Sequence, residues 1–524
     1  MNPQQRPDDR VKHVVLLMFE NHSFDQMLGC FKEVYSGLAG VDPNKPGVNR
    51  LNDTEFKQVE TSERQMLLDP RHEVNHVLAQ MADHNGGFVA DFAKAHPEST
   101  TEQRHFVMGY YRLDFLPALH RLARDFLICD HWFSSLPGPT WPNRFFALTG
   151  TSSGKVNMPE DGEHGADIKG WFEQNQVTLF DRLSEKGISW KIYFHDIPQS
   201  ICLVHQRTPE RVARYFPVAQ FYEDAHGPEA DFPAFCFIEP DYNGIAENDD
   251  HPPHDVMKAQ KLLADVYNAL RAKQELWEST LLVVLYDEHG GFYDHVEPPA
   301  AAPPDDYHDE YTFDRLGIRV PALLVSPWVD QDFDSTPFDH TSLLKYLTEK
   351  WGLGPLGNRT TNAYSIGSLI QRGTPRADTI AQIAQPPLPQ PDLEEEAANY
   401  ITNHHKALAL IGRRLQLELL KESPLAYAWI TYGVEVLLHW LFGLGTRWVF
   451  RKAHKRAKKN WSDFRERRKQ QAIPKLAGII RDAGRSFAEK NHAIETLGLV
   501  VNERFHLAAD PVGAAENWLK QVGH

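Results

Sequence analysis

Cysteine is scarce in this chain: four in 524 residues, at Cys30, Cys129, Cys202 and Cys236, with no CxxC pair. That argues against a disulfide framework and against a Cys-based zinc or redox motif. Excess basic charge is also missing. The net charge is −16, which argues against nucleic acid as a partner, because gripping a phosphate backbone needs a basic face. No long apolar run opens the chain. Residues 1–10 are polar, and the apolar run at 14–19 is six residues, too short for a signal-peptide core. Synthesis in the cytosol is the expectation, with peripheral membrane association or a secretion route that needs no leader left open. No internal repeat is evident, and the sequence does not fix an oligomeric state.

Hydrophobic residues make up 42% and charged residues 24%, an ordinary balance for a globular protein. The length points to a large domain plus an appendage. Residues 11–19 (VKHVVLLMF) form a continuous β-branched apolar run, and the texture recurs at 234–238, 280–286 and 322–326. Such runs read as buried strands of a parallel sheet. Amphipathic helices are predicted at 254–273 and 342–351. Strands alternating with helices imply an α/β fold with a mostly parallel central sheet flanked by helices. In such folds ligands sit beyond the C-terminal strand ends. The reading divides the chain into a catalytic domain (1–384), a Pro-rich, acidic linker (385–398) and a helical C-terminal domain (399–524).

Three features carry chemistry. The strand at 11–19 runs into Glu20-Asn21, and the strand at 280–286 into Asp287-Glu288. Carboxylates that converge repel one another unless a cation sits between them, so the two pairs are either ligands of a divalent metal or solvated strand-end acids. Next, Thr140 lies between prolines in SSLPGPTWPNR. Prolines fix backbone torsions and would hold its hydroxyl in place for use as a nucleophile; an ordinary Pro-rich turn reads the same way. Arg144, at the end of that segment, could bind phosphate oxygens. Finally, histidines cluster: His72 and His76 at i and i+4, His251 and His254 in DDHPPHD, His295 after Asp294, and His340 in FDHTS. A rival lies in Gly150-Thr151-Ser152-Ser153-Gly154, which fits the G-x-S-x-G elbow of serine esterases. An elbow needs a strand before it, and residues 145–148 read better as helix.

Taken together, LLMFENHSFDQMLG, GPTWPNRFFALTGT, NDDHPPHD, YDEHGGFYDHVEPP and FDHTSLLKYL resemble the bacterial and plant phosphoesterase family of non-specific phospholipases C and acid phosphatases, in the alkaline-phosphatase-like superfamily. The similarity runs in order from about residue 11 to about 365 and leaves 399–524 unmatched. It implies that Glu20, Asn21, Asp287 and Glu288 bind a metal and that Thr140 is both nucleophile and metal ligand. It implies that His72 and His251 surround the phosphoryl group, with His340 and His295 as weaker transfers. Threonine rather than serine at the nucleophile position tilts the resemblance toward phospholipase C, with a broad-specificity acid phosphatase as the alternative.

The five residues of that implied shell all offer oxygen, which suits hard cations. Ca²⁺ is favoured, with Mg²⁺, Mn²⁺ or Zn²⁺ as alternatives. The expected substrate is a glycerophospholipid. In the C-terminal region, residues 425–450 are apolar with Trp429, Trp440 and Trp448, but include Glu435, His439 and Arg447. Residues 451–469 carry ten Lys or Arg. Interfacial tryptophans followed by a basic run point to docking of 425–469 on a membrane surface rather than to a spanning helix.

Overall fold

The strand β1, His13–Phe19, is buried at every position, as the unbroken apolar run at 14–19 requires. Each such side chain stabilises the fold by about 1.5–3 kcal/mol on burial. In this computed structural model, residues 9–386 are described except 160–169, 172–174, 196, 243–246 and 308–310; beyond 386, residues 407–408 and parts of 473–522 are described.

Around β1 lies an eight-stranded sheet. Its other members are β2 (Leu127–Cys129), β3 (Trp190–Phe194), β4 (Tyr215–Pro217), β5 (Phe235–Glu239), β6 (Thr280–Tyr286), β7 (Ala322–Val325) and β8 (Phe333–Asp334). The order is β8-β2-β7-β6-β1-β5-β3-β4. β1 pairs in parallel with both β5 and β6, so their C-terminal ends share one edge of the sheet. The departure from the expected pattern is β7, which is antiparallel to β6 and to β2. Its texture is that of a buried parallel strand, but burial on both faces, not strand direction, is what an apolar run reports.

Helices cover the sheet. The ones that matter for the site are α1 (Val74–Gln80), α2 (Thr140–Thr149), α3 (Val256–Arg271) and α4 (His340–Trp351). α3 and α4 fall on the two predicted helical patterns. α3 is capped by the Asp255 side chain, which accepts from the Met257 amide, and α4 by a capping box on Asp339.

The linker expected at 385–398 is described only at its first two residues, and the apolar and basic segments at 425–469 lie outside the described residues. Ala407 and Leu408 are buried in the core cluster of the catalytic region. Near the C-terminus, Leu476, Ile480, Leu497 and Leu519 belong to a separate small apolar cluster. Among the described residues no helix is long and apolar enough to cross a membrane.

Candidate active site

Phe19 of β1 and Tyr286 of β6 are register partners, so the next residues of each strand, Glu20 and Asp287, emerge side by side at a strand spacing of about 4.8 Å. Glu20, Asn21, Asp287 and Glu288 are all fully buried. Asn21 takes a left-handed backbone, φ 60°, and its amide donates to Asp287 Oδ1 at 3.3 Å. The glycines after the acidic pair make this approach possible. Gly290 has φ +63°, and a Cβ there would lie 2.1 Å from the Asn21 carbonyl oxygen; at Gly291 a Cβ would lie 2.6 Å from Pro70 Cβ. The DEHGG motif thus lets the tip of β1 and the loop that carries His72 close onto the end of β6.

Arg144 joins the two strand tips. Its Nε donates to Asp287 Oδ2 at 2.9 Å, and its Nη2 lies 3.2 Å from Glu20 Oε1. Nη2 also donates to the carbonyls of Met18 and Phe19, and Nη1 to Tyr242 Oη at 2.7 Å. The expectation that Arg144 binds phosphate oxygens is not met, since its N–H groups are committed to protein oxygens. Thr140 stands four residues earlier on α2, one turn away on the same helix face. It is the first residue of α2, where unsatisfied backbone N–H groups favour anions. The Thr140 hydroxyl is buried and has no hydrogen-bond partner.

His72 and His251 converge, with ring centroids 5.6 Å apart, and His72 lies against the Asn21 amide at 3.4 Å. Burial opposes protonation of His72, but Glu288, Asp69 and Glu73 outweigh it and lift the imidazole to about 9. His76, on α1, turns away from His72 and bonds Asp91 at 2.8 Å, because the helix begins only at Val74. His340 is buried, and burial pushes it down to about 4. As a neutral ring it donates from Nε2 to the Asp287 carbonyl at 2.7 Å and accepts from Trp132 Nε1 at 3.3 Å. Both its nitrogens are thereby used, and it supports the backbone of a strand tip. His295 lies apart from the tips. It bonds Asp25 at 2.8 Å, within a cluster that also holds Asp294 and Arg319.

The electrostatics favour a cation at the strand tips. Burial, opposed by Arg144 and reinforced by Glu288, pushes Glu20 up to about 7. Burial also drives Asp287 well above the carboxylate range. Asn21 Oδ1, Glu288 Oε1 and Thr140 Oγ1 are buried without hydrogen-bond partners, an arrangement that costs about 1–3 kcal/mol per group unless something fills it. All three are oxygens, as a hard divalent ion prefers. The one trio among the described residues whose His/Asp/Glu ligand atoms lie within 4.8 Å of one another is elsewhere: Asp25, Asp294 and His295. By distance that trio could hold an ion. Arg319, however, already bonds Asp294 Oδ1 at 2.8 Å and Asp25 Oδ1 at 3.0 Å, which supplies the positive charge.

Three further groups border the site. The Glu20 amide donates to the Asp249 carbonyl at 2.8 Å, and the Asp249 carboxylate bonds His254 Nδ1. His195 follows β3 at the same sheet edge, its Nδ1 3.1 Å from the Glu239 carbonyl; burial lowers it to about 4. Neutral at that value, it donates from Nδ1 to that carbonyl. The strand-end rule would have found His195 had WKIYF been read as a strand. The serine-esterase reading fails here. Gly150 is the left-handed cap of α2, φ 80°, so GTSSG ends a helix instead of following a strand, and Ser152 Oγ donates to the Lys155 carbonyl at 2.6 Å.

Residues 11–354 match the phosphoesterase family. Non-specific phospholipase C3 of Arabidopsis thaliana is 32% identical over 72% of this chain and 77% of its own. Phospholipase C B of Mycobacterium tuberculosis is 26% identical over 72% of this chain and 82% of its own. Among solved structures, an alkaline phosphatase superfamily protein from Vibrio parahaemolyticus aligns over 48% of this chain and 65% of its own, with 11% identity and a TM-score of 0.28. The chain belongs to the phosphoesterase family and is a phosphoric ester hydrolase.

Proposed function

We propose that this phosphoesterase is a phospholipase C-type phosphodiester hydrolase that acts on glycerophospholipids with Thr140 as nucleophile. The observation that carries the reading is the buried Thr140 hydroxyl, without a hydrogen-bond partner, at the start of a helix whose next turn grips Glu20 and Asp287. The names of the plant and mycobacterial relatives support the substrate class. Glu20, Asn21, Thr140, Asp287 and Glu288 would hold one divalent ion, Ca²⁺ by preference, as all-oxygen ligands. Such an ion, when bound, lowers the pKa of a ligated hydroxyl and polarises a phosphoryl oxygen.

Thr140 Oγ1 attacks phosphorus in line and passes its proton to solvent water. The bond to the glycerol oxygen breaks, and that oxygen takes a proton from an imidazolium. His72 suits this role, since it lies against Asn21 at the tip of β1 and beside His251. His251, beside it, faces the same phosphoryl group. Water then cleaves the phosphothreonine, so diacylglycerol and a phosphorylated headgroup are the products. The N-terminus of α2 stabilises the charge that develops on the phosphoryl oxygens. The tryptophan-bearing and basic segments at 425–469 would bring this centre to a membrane surface.

Phosphatidylcholine vesicles and p-nitrophenyl phosphate, assayed in parallel with and without EDTA, test the proposal. Diester cleavage that releases phosphocholine, is lost in EDTA and returns with Ca²⁺ is the expected result. Preferential hydrolysis of the monoester would favour the acid phosphatase instead.

A further inference from the structure

We propose that Gln80 is a positioning residue of the active site: its amide ties the loop that carries His72 to the loop that carries Glu288, and so fixes where the imidazole stands beside the departing alcohol. The inference rests on the proposed role of His72 as proton donor to the leaving oxygen, and it adds the residue that places it.

Gln80 is the last residue of α1 and is buried. Both polar atoms of its amide are used. Nε2 donates to the Arg71 carbonyl at 2.6 Å and to Asp91 Oδ2 at 2.9 Å. Oε1 accepts from His289 Nε2 at 2.8 Å. The Arg71 carbonyl can only accept, so the NH₂ end of the amide must face it. Arg71 precedes His72 and His289 follows Glu288, so one side chain spans the two loops. His72 Nδ1 donates to the Pro70 carbonyl at 3.0 Å. The ring therefore takes its position from the backbone of residues 70–72, and that backbone hangs from Gln80. The same stretch meets Gly291, where an added Cβ would lie 2.6 Å from Pro70 Cβ and 2.9 Å from the Arg71 carbonyl oxygen. The anchor is itself braced. Asp91 Oδ1 bonds His76 Nδ1 at 2.8 Å. Asp91 lies on the helix Phe88–Ala95, whose Phe88 ring packs edge-on against His289 at 5.8 Å. Gly87 lets that helix start against the end of α1: a Cβ there would lie 1.9 Å from the Ala79 carbonyl oxygen. An ionised glutamate at position 80 could accept from His289, but it offers no N–H to the Arg71 carbonyl. A methionine of similar size offers neither bond.

The test compares the full-length protein as wild type, His72→Gln, Gln80→Met and Gln80→Glu on two soluble diesters of phosphocholine. Dihexanoyl phosphatidylcholine, kept below its micelle concentration, releases a glycerol oxygen that needs a proton. p-Nitrophenyl phosphorylcholine releases p-nitrophenolate, which leaves without one. A misplaced imidazole should therefore spare the second ester. In both Gln80 variants kcat on the lipid should fall about 100-fold, as expected for a shift of about 1 Å among reacting groups. Their kcat on the nitrophenyl ester, and KM on both substrates, should stay within a few-fold of wild type. Gln80→Glu carries the test if Gln80→Met does not fold. Gln80 variants that lose both esters equally, or neither, while His72→Gln spares the nitrophenyl ester, would make Gln80 a brace of the fold alone and overturn the inference. Equal losses on both esters in His72→Gln would sink the proposed role of His72 and this inference with it.

Discussion

Replacing Gly290 with alanine isolates the geometry on which the site depends. Gly290 combines a left-handed backbone, φ +63°, with a space that is already taken: a Cβ there would lie 2.1 Å from the Asn21 carbonyl oxygen and 2.5 Å from its carbon. Both neighbours are backbone, so no side chain can swing aside, and the tip of β1 must retreat by about 1 Å. A displacement of that size among reacting groups costs about 100-fold in rate. The backbone strain of a left-handed alanine, about 1–2 kcal/mol, is a separate cost, and a second glycine measures it. Gly187 has φ +67° with nothing within 4 Å of its missing Cβ. Gly187→Ala therefore carries the strain without the clash. With p-nitrophenyl phosphorylcholine as a soluble diester, kcat should fall about 100-fold in Gly290→Ala and stay near wild type in Gly187→Ala, while both lose melting temperature. If Gly290→Ala kept wild-type kcat, the close approach of Asn21 to the end of β6 would have no catalytic meaning.

Two further outcomes follow from the same structure. Burial opposes charge on His295, but Asp25 outweighs it and raises the imidazole above 6.5, while Asp25 is held below its ordinary 3.8 despite burial, with His295 the largest opposing influence. The His295 contribution to stability is therefore complete below its unfolded pKa and fades as pH rises through the raised one, so denaturant melts of His295→Gln should lose that alkaline slope and keep kcat; an unchanged slope or a lost kcat would contradict this placement. Truncation after Leu408 keeps the two residues buried in the catalytic core, so the shortened protein should cleave the soluble diester and lose activity on anionic vesicles; equal losses on both would contradict membrane docking through 425–469.

Sequence texture exposed the centre of the fold better than its edges. Residues 14–19 and 281–286 are long, continuous apolar runs, because a central strand is buried on both faces. β2 and β8 contribute three and two residues, too few for any periodicity to register, and the reversed direction of β7 leaves no mark on composition. At the strand ends, the meeting of Glu20 with Asp287 was legible because acids that follow two buried apolar runs are a local pattern. Arg144 was misread for the opposite reason. Its neighbour at i−4 is visible in sequence, whereas Glu20 and Asp287, more than a hundred residues away on either side, decide what its charge is for. His72 and His76 are four residues apart, but the helix starts after His72, and His76 bonds Asp91.

The central claim is that Thr140 attacks phosphorus. Its most direct test is to quench turnover of a slow phosphodiester in acid and map the modified peptide by mass spectrometry. A phosphoryl mass on Thr140, absent from Thr140→Ala, is the predicted result. A stable adduct on Ser152, or full activity in Thr140→Ala, would contradict it.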